Sequence, residues 1–171
     1  SFDEHRRVST LFAFWRPRAS RSKGNWGQTL WHAVFNAAAE VAEKTGGLWA
    51  RSDPGGAYQK ILILFGAPSS ADDDVDRALE CASLLRERLK ALDLSGDRVH
   101  FGVGLTTATV YAGYVGGPDR HEFTAMGDGV NLAARLAASA PNGIVQVDAP
   151  TQAAARNWCF APPTTRNPTP S

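Results

Sequence analysis

Apolar and polar positions follow two different periods along the chain, and together these periods predict a mixed fold. Short runs rich in Val, Ile, Phe and Tyr predict strands, at residues 8–14, 48–51, 60–65, 99–105, 109–115, 122–125 and 144–147. Apolar residues spaced three and four apart predict helices, at residues 28–45, 72–92, 130–138 and 150–156. This order indicates an α+β sandwich in which helices cover a mainly antiparallel sheet. We expect one domain over residues 1–160 and a loose, proline-containing tail over 161–171.

Three consecutive acidic residues, Asp72 to Asp74, precede the apolar face of the second predicted helix. A group of carboxylates is one way to bind a divalent cation. Adjacent helix residues do not face one point, however, and Asp in a first turn interacts favourably with the helix dipole. We therefore interpret the run as a solvated helix start.

The composition excludes several classes of protein. The 171 residues include 18 Lys and Arg and 17 Asp and Glu, for a net charge of +1, which argues against a polyanion binder driven by bulk charge. The two cysteines, Cys81 and Cys159, supply neither a disulfide framework nor a four-ligand zinc site. No apolar run approaches the ~20 residues that span a bilayer, and the first residues do not form a signal peptide. We expect a cytoplasmic protein with no membrane partner.

Two segments are more informative than periodicity. One is the LFGAP sequence at Leu64–Pro68, and the other runs from Gly102 through AGYVG at Ala112–Gly116 to EFTAMGDGVNLAARL at Glu122–Leu136. Together they closely resemble the catalytic domain of class III nucleotidyl cyclases, the adenylate and guanylate cyclase family. The resemblance can be followed over residues 8–148.

This resemblance implies a ferredoxin-like core and head-to-tail dimers, with active sites at the subunit interface. In the family, the ribose 3′-oxygen attacks the α-phosphate, which gives a cyclic nucleotide and pyrophosphate. Two divalent ions polarise the phosphate, and fixed donors stabilise the charge that develops on its oxygens. One subunit gives two metal-binding Asp residues. The other gives an Asn and an Arg from one helix, with residues that read the base.

The Asn and Arg are present in this sequence. Asn131 and Arg135 are four residues apart in a predicted helix, so they share a face. By resemblance, Asn131 orients the ribose and Arg135 stabilises the transition state. Thr124 occupies a base-reading position, and its hydroxyl is compatible with adenine. ATP is thus a possible ligand, although the choice between ATP and GTP stays open.

The metal-binding Asp residues are replaced. The resemblance places the first at Phe14, at the end of the LFAF run, and the second at Gln59. A phenyl ring cannot ligate magnesium, and a neutral amide is a weak replacement for a carboxylate. No acidic residue occurs at 5–39 or 54–71, so a small shift of the alignment restores neither ligand. The alternative is Asp53 in another hairpin register, although the Asp-Pro sequence there is typical of a turn.

The sequence therefore predicts a cyclase homology domain that is inactive alone. It would contribute Asn131 and Arg135 to a site shared with a second cyclase domain, in tandem or on a separate chain, or it would pair with another copy of itself. We expect no cofactor on this domain alone, and Mg²⁺ or Mn²⁺ only if a partner supplies the ligands. The alternative is a pseudoenzyme that binds a nucleotide or a protein partner and regulates an attached effector.

The basic loop predicted at 16–23, flanked by Trp15 and Trp26, raises the possibility of nucleic-acid binding, since cations and aromatic rings hold single strands. The near-neutral charge makes a nucleic-acid partner the least favoured interpretation. A separate hypothesis is that these tryptophans fill the space that the metal ions occupy in the family.

Overall fold

The computed structural model describes residues 4–17, 26–53, 59–92, 99–116, 118 and 122–162, and it confirms the α+β architecture. In chain order the elements are β1 (Glu4–Pro17), α1 (Trp26–Thr45), β2 (Leu48–Asp53), β3 (Gln59–Phe65), α2 (Asp74–Leu92), β4 (Val99–Val115), β5 (Glu122–Met126), α3 (Asp128–Ser139), β6 (Ile144–Val147) and α4 (Ala149–Ala154). Most of the predicted loop and most of the predicted tail lie outside the described residues. Among those described, no helix is both long and apolar enough to cross a bilayer.

The described strands form one sheet in the order β2-β3-β1-β4-β5, with β6 also paired to β4. The β4–β6 pair is parallel and the others are antiparallel, which confirms a mainly antiparallel sheet. β2 and β3 form the predicted hairpin, with Leu48 opposite Leu64 and Asp53 opposite Lys60. β5 and β6 pair with different segments of the same edge of β4, so β4 connects both parts of the sheet.

The prediction of two strands at 99–105 and 109–115 is wrong, because β4 is continuous from Val99 to Val115. Its antiparallel partner β1 follows it without interruption, from Glu4 opposite Ala112 to Pro17 opposite Val99. No Gly or Pro occurs at 105–112, and the Thr, Val and Tyr residues there favour extended backbone. The long pairing with β1 thus keeps this segment extended, although the sequence pattern predicts a break between two strands there.

Side chains along each strand alternate between the two faces of the sheet. Leu11, Ala13 and Trp15 of β1 belong to the main core, which α1 and α2 cover. Phe12 and Phe14 therefore lie on the other face, where α3 packs. Trp15 is only 3% exposed in the main core, on the face opposite to Phe14, and the side chain of Trp26 lies outside the described residues, so the hypothesis that these two tryptophans fill the metal site stays a prediction.

The two cysteines are expected to differ in reactivity. Cys81 of α2 is buried, whereas Cys159 is exposed. Burial raises the pKa of Cys81 to about 11, because an apolar surrounding disfavours the charged thiolate. We expect iodoacetamide at pH 8 to modify Cys159 but not Cys81 in the folded protein, and both in urea, as measured by peptide mass spectrometry. Rapid modification of Cys81 without denaturant would contradict this burial.

Candidate functional site

α3 lies very close to the sheet, and two glycines of β4 permit this position. A Cβ on Gly104 would stand 2.1 Å from the carbonyl oxygen of Ala133, and a Cβ on Gly102 would stand 2.2 Å from that of Ala137. No side chain fits at such distances, so only glycine lets the helix backbone approach the strand this closely. Ala133 and Ala137 are fully buried at this contact. Small residues on both elements therefore fix the distance of α3 from the sheet.

The first turn of α3 is held by separate contacts. The buried Thr106 hydroxyl donates a hydrogen bond of 2.7 Å to the carbonyl oxygen of Gly129. A Cβ on Gly129 would stand 2.7 Å from the Cβ of Ala108, so this glycine too is needed for close packing. Gly127 enters the helix with φ 145°, a conformation that favours glycine. The helix is thus fixed from its first turn to its last.

Asn131 and Arg135 lie on the side of α3 away from the buried alanines, and both are exposed. Positions four apart share a helix face, as the sequence predicts. Neither side chain makes a hydrogen bond or an ion pair with another residue in the described part of the chain. The structure therefore presents an amide and a guanidinium on one fixed face, without a partner among the described residues.

Thr124 lies on β5, opposite Gly113 of β4, and is half-buried. β5 leads into α3 through Gly127, so Thr124 is on the element just before the helix that carries Asn131 and Arg135. In the described residues no hydrogen bond joins Thr124 to either of them. The structure places the three candidates on consecutive elements without direct contact.

Phe14 and Gln59 lie on neighbouring strands but do not converge. Phe14 pairs with Lys60 across β1 and β3, whereas Gln59 pairs with Trp15. Because paired residues share a face, Gln59 is on the face of Trp15, opposite to the face of Phe14. Phe14 is 8% exposed, and the Gln59 Oε1 is buried without a hydrogen-bond partner among the described residues.

These residues do not fit a Mg²⁺ or Mn²⁺ ion. Magnesium binds through carboxylates and water, and neither Phe14 nor Gln59 offers a carboxylate. Asp53 ends β2, and β3 separates β2 from β1, so its backbone stands two strand spacings, or about 10 Å, from β1. Within the described residues, no group of three or more His, Cys, Asp or Glu could hold a metal ion.

A cavity of about 470 Å³ lies between α3 and the face of the sheet that carries Phe14. Phe12, Phe14 and Arg16 of β1 line it with Lys60 of β3, and Arg135 lines it with two alanines of α3. The described lining residues thus include three cations and no carboxylate. The structure brings Arg135 beside the Phe14 position of its own chain, a proximity that the sequence pattern does not predict.

Arg16 lines the cavity from β1, so its predicted position in a loop is wrong. The predicted loop begins at Arg16, but β1 continues to Pro17 because β4 pairs with it as far as Val99. Once the strand is extended, alternation puts Phe12, Phe14 and Arg16 on one face. The feature that could predict the longer β1 is the length of its partner strand β4, because charge and proline alone indicate a loop.

The sequence profile described as "Adenylate and Guanylate cyclase catalytic domain" matches residues 55–165, more than half of the chain. An uncharacterised protein of Mycobacterium tuberculosis is 40% identical over 75 residues, which are 44% of this chain and 14% of that protein. Adenylate cyclase 1 of Rhizobium meliloti is 36% identical over 83 residues, which are 44% of this chain and 12% of that protein. The chain therefore matches only a small part of each relative.

Solved cyclase domains share the fold. The guanylyl cyclase Cya2 superposes with a TM-score of 0.77 and 25% identity, over 91% of this chain and 81% of that one. A guanylyl cyclase domain of the RhoGC fusion protein from the aquatic fungus Blastocladiella emersonii, described as a non-canonical dimer, superposes with a TM-score of 0.73 and 20% identity, over 88% and 84%.

Proposed function

The chain belongs to the adenylate and guanylate cyclase catalytic domain family, and we propose that it forms one incomplete half of a composite cyclase site. In this role it contributes Asn131 and Arg135, with Thr124 as the base-reading residue. A second cyclase domain, in tandem or on another chain, contributes the ligands for Mg²⁺ or Mn²⁺. The composite site makes a cyclic nucleotide, so the domain acts in cyclic-nucleotide signalling.

The observation that carries this proposal is the contrast between the Asn and Arg positions of this chain and its metal-ligand positions. Asn131 and Arg135 are exposed on a helix that glycine contacts fix against the sheet. Phe14 and Gln59, at the positions expected for metal ligands, offer no carboxylate and lie on opposite faces. The Asn and Arg positions thus hold residues of the type that the family uses, whereas the metal-ligand positions do not.

A fixed helix suits the proposed role of Arg135. A donor that is already in place when charge develops in the transition state needs no reorganisation, and such preorganised donors are among the strongest catalytic effects. The Arg135 guanidinium presents several N–H donors in one plane, which suits the oxygens of a phosphate group. The Asn131 amide, one turn earlier, can both donate to and accept from a ribose oxygen.

Pairing with a different domain follows from the missing ligands. Two copies of this chain would form sites that both lack metal carboxylates, so a homodimer would be inactive. The dimer described for the similar RhoGC domain supports a paired arrangement. The proposal places the domain in the cytoplasm, where nucleoside triphosphates are available.

We expect the purified chain to form no cyclic AMP or cyclic GMP from ATP or GTP with Mg²⁺ or Mn²⁺. The physical reason is the absence of carboxylates at Phe14 and Gln59, and the measurement is chromatography of the nucleotides after long incubation. Arg88→Ala is the matched control for Arg135→Ala, because Arg88 is an exposed helix arginine that pairs with Glu40. Product that disappears in Arg135→Ala but persists in Arg88→Ala would contradict the proposed inactivity.

A further inference from the structure

We propose that a second cavity, on the face of the sheet opposite to α3, binds an acidic amino acid such as glutamate. Its volume is about 410 Å³, within the range of small-molecule sites, roughly 300–1,000 Å³. Its floor includes Ser9, which shares a face of β1 with Leu11 of the main core. None of Thr124, Asn131 and Arg135 is among its described lining residues, so this cavity is separate from the composite site proposed above.

The floor of this second cavity is a chain of hydrogen-bonded hydroxyl groups that runs in one direction. Ser9 and Thr107 pair across β1 and β4, and their buried hydroxyl oxygens lie 2.9 Å apart. The Thr107 hydroxyl also lies 2.9 Å from that of Thr151, and Thr151 donates its single proton to the Asp148 carboxylate. Because Thr151 has no other proton, Thr107 must donate to Thr151, and Ser9 must donate to Thr107.

The direction of this chain determines what can bind at Ser9. A hydroxyl group has one proton and two lone pairs, and the Ser9 proton is already used by Thr107. The Ser9 oxygen can therefore accept a further hydrogen bond, but it cannot donate one to a ligand without breaking the chain. A ligand that reaches the floor must present an N–H or O–H group there, and a bare anion such as phosphate does not.

Two arginines from different elements favour a carboxylate in the same cavity. Arg7 lies two residues before Ser9 in β1, so its side chain stands on the same face. Arg156 follows α4, and its backbone N–H donates a hydrogen bond of 3.0 Å to Asp76 of α2. Both arginine side chains line the cavity and are exposed, and neither has a hydrogen bond or an ion pair to a described residue. A guanidinium binds a carboxylate through two parallel hydrogen bonds.

One unpaired carboxylate completes the charged lining. Asp72 is exposed just before α2, and no described residue forms a hydrogen bond or an ion pair with its side chain. Asp74 also lines the cavity, but its carboxylate pairs with Arg77 and accepts a hydrogen bond from the backbone N–H of Ala71. The unpaired charges that the described lining offers to a ligand are therefore two cations and one anion.

An acidic amino acid carries the complementary set of charges, two carboxylates and one ammonium group. Its carboxylates would pair with Arg7 and Arg156, and its ammonium group would donate to the Ser9 oxygen and pair with Asp72. A neutral amino acid would leave one arginine unpaired. A dicarboxylate without an amine would leave Asp72 unpaired and would place no donor at Ser9. Polar groups left unpaired on binding cost affinity, so the lining discriminates against both alternatives.

The test is calorimetry of the full chain at pH 7 with L-glutamate, γ-aminobutyrate and glutarate. γ-Aminobutyrate is glutamate without its α-carboxylate, and glutarate is glutamate without its amine. We expect glutamate to bind about tenfold more tightly than either analogue, because loss of one charge-assisted hydrogen bond has roughly that effect.

Two variants with matched controls assign the contacts. Arg7→Gln should weaken glutamate binding about tenfold or more, whereas Arg88→Gln, which also removes an exposed arginine but not one of the cavity, should leave it unchanged. Asp72→Asn should weaken glutamate but not glutarate, which has no ammonium group to pair there. Asp73→Asn is its control, because Asp73 pairs with Arg77 and is not among the described lining residues.

Any of four results would overturn the inference: glutamate fails to bind at millimolar concentration; glutarate binds as tightly as glutamate; Arg7→Gln unfolds in urea like the parent and binds glutamate as well; or Asp72→Asn weakens glutamate and glutarate equally. If Arg7→Gln lowers the stability, Arg156→Gln on a separate element tests the same carboxylate contact with the same expected loss. These measurements need neither a second domain nor a metal ion. Their failure would leave the proposed roles of Asn131 and Arg135 intact, so the two proposals fail separately.

Discussion

A tandem fusion of this chain with a cyclase domain that keeps both metal-binding Asp residues, but whose own Asn and Arg are replaced, is expected to form cyclic nucleotide although each half is inactive alone. The linker holds the halves at an effective concentration in the millimolar range. Arg135→Ala in the fusion should lower kcat about 100-fold or more, because removing one preorganised transition-state donor costs roughly that much. Initial rates with ATP and with GTP at saturating Mn²⁺ measure the effect.

The matched control for this fusion is Arg88→Ala, which also removes an exposed helix arginine but breaks only a surface ion pair with Glu40. Such pairs contribute about 1 kcal/mol or less, so the fusion should keep its rate. Asn131→Ala should reduce the rate, since it removes the other retained residue on the same face. A folded fusion that stays inactive, or one in which Arg135→Ala matches the parent, would refute the composite site.

The parts of the fold that could be predicted from sequence are those that local pattern determines. β6 is short, mostly apolar and bounded by Gly143 and Asp148, and its predicted range 144–147 equals the observed Ile144–Val147. The acidic run before α2 also has a local cause. Asp74 accepts a hydrogen bond from the backbone N–H of Ala71, and Arg77 pairs with Asp73. These interactions within one turn are those of a helix start, as predicted.

The parts that could not be predicted depend on contacts distant in sequence. Arg16 and Pro17 have the composition of a loop, yet β4 pairs with them and extends β1. The convergence of Arg16 and Arg135 at one cavity depends on the distance between α3 and the sheet. The close contact of Gly102 and Gly104 with the helix backbone sets this distance. Periodicity along one element contains no information about that distance, so the family resemblance predicts a role for Arg135 but does not predict its neighbours.

Gly104→Ala is expected to destabilise the domain by about 2–3 kcal/mol, near the upper end of the usual cost of overpacking a core. The new Cβ would stand 2.1 Å from the Ala133 carbonyl oxygen and 2.7 Å from the Ala137 N. Both are backbone atoms that cannot rotate aside, so α3 must move away from the sheet. Urea unfolding measures the loss of stability. In the fusion the same change should also lower the rate, because displacement of a catalytic group by about 1 Å can cost about 100-fold.

Gly129→Ala is the control that separates helix displacement from simple crowding. Its new Cβ would meet the Cβ of Ala108 at 2.7 Å, a methyl group that Ala108→Gly removes. The Gly129→Ala/Ala108→Gly pair should therefore recover most of the stability and the fusion rate that Gly129→Ala loses. No side-chain substitution can remove the backbone atoms that oppose Gly104. If Gly104→Ala left both the unfolding free energy and the rate unchanged, this contact would not determine the distance of α3 from the sheet. The arrangement of Asn131 and Arg135 would then need another cause.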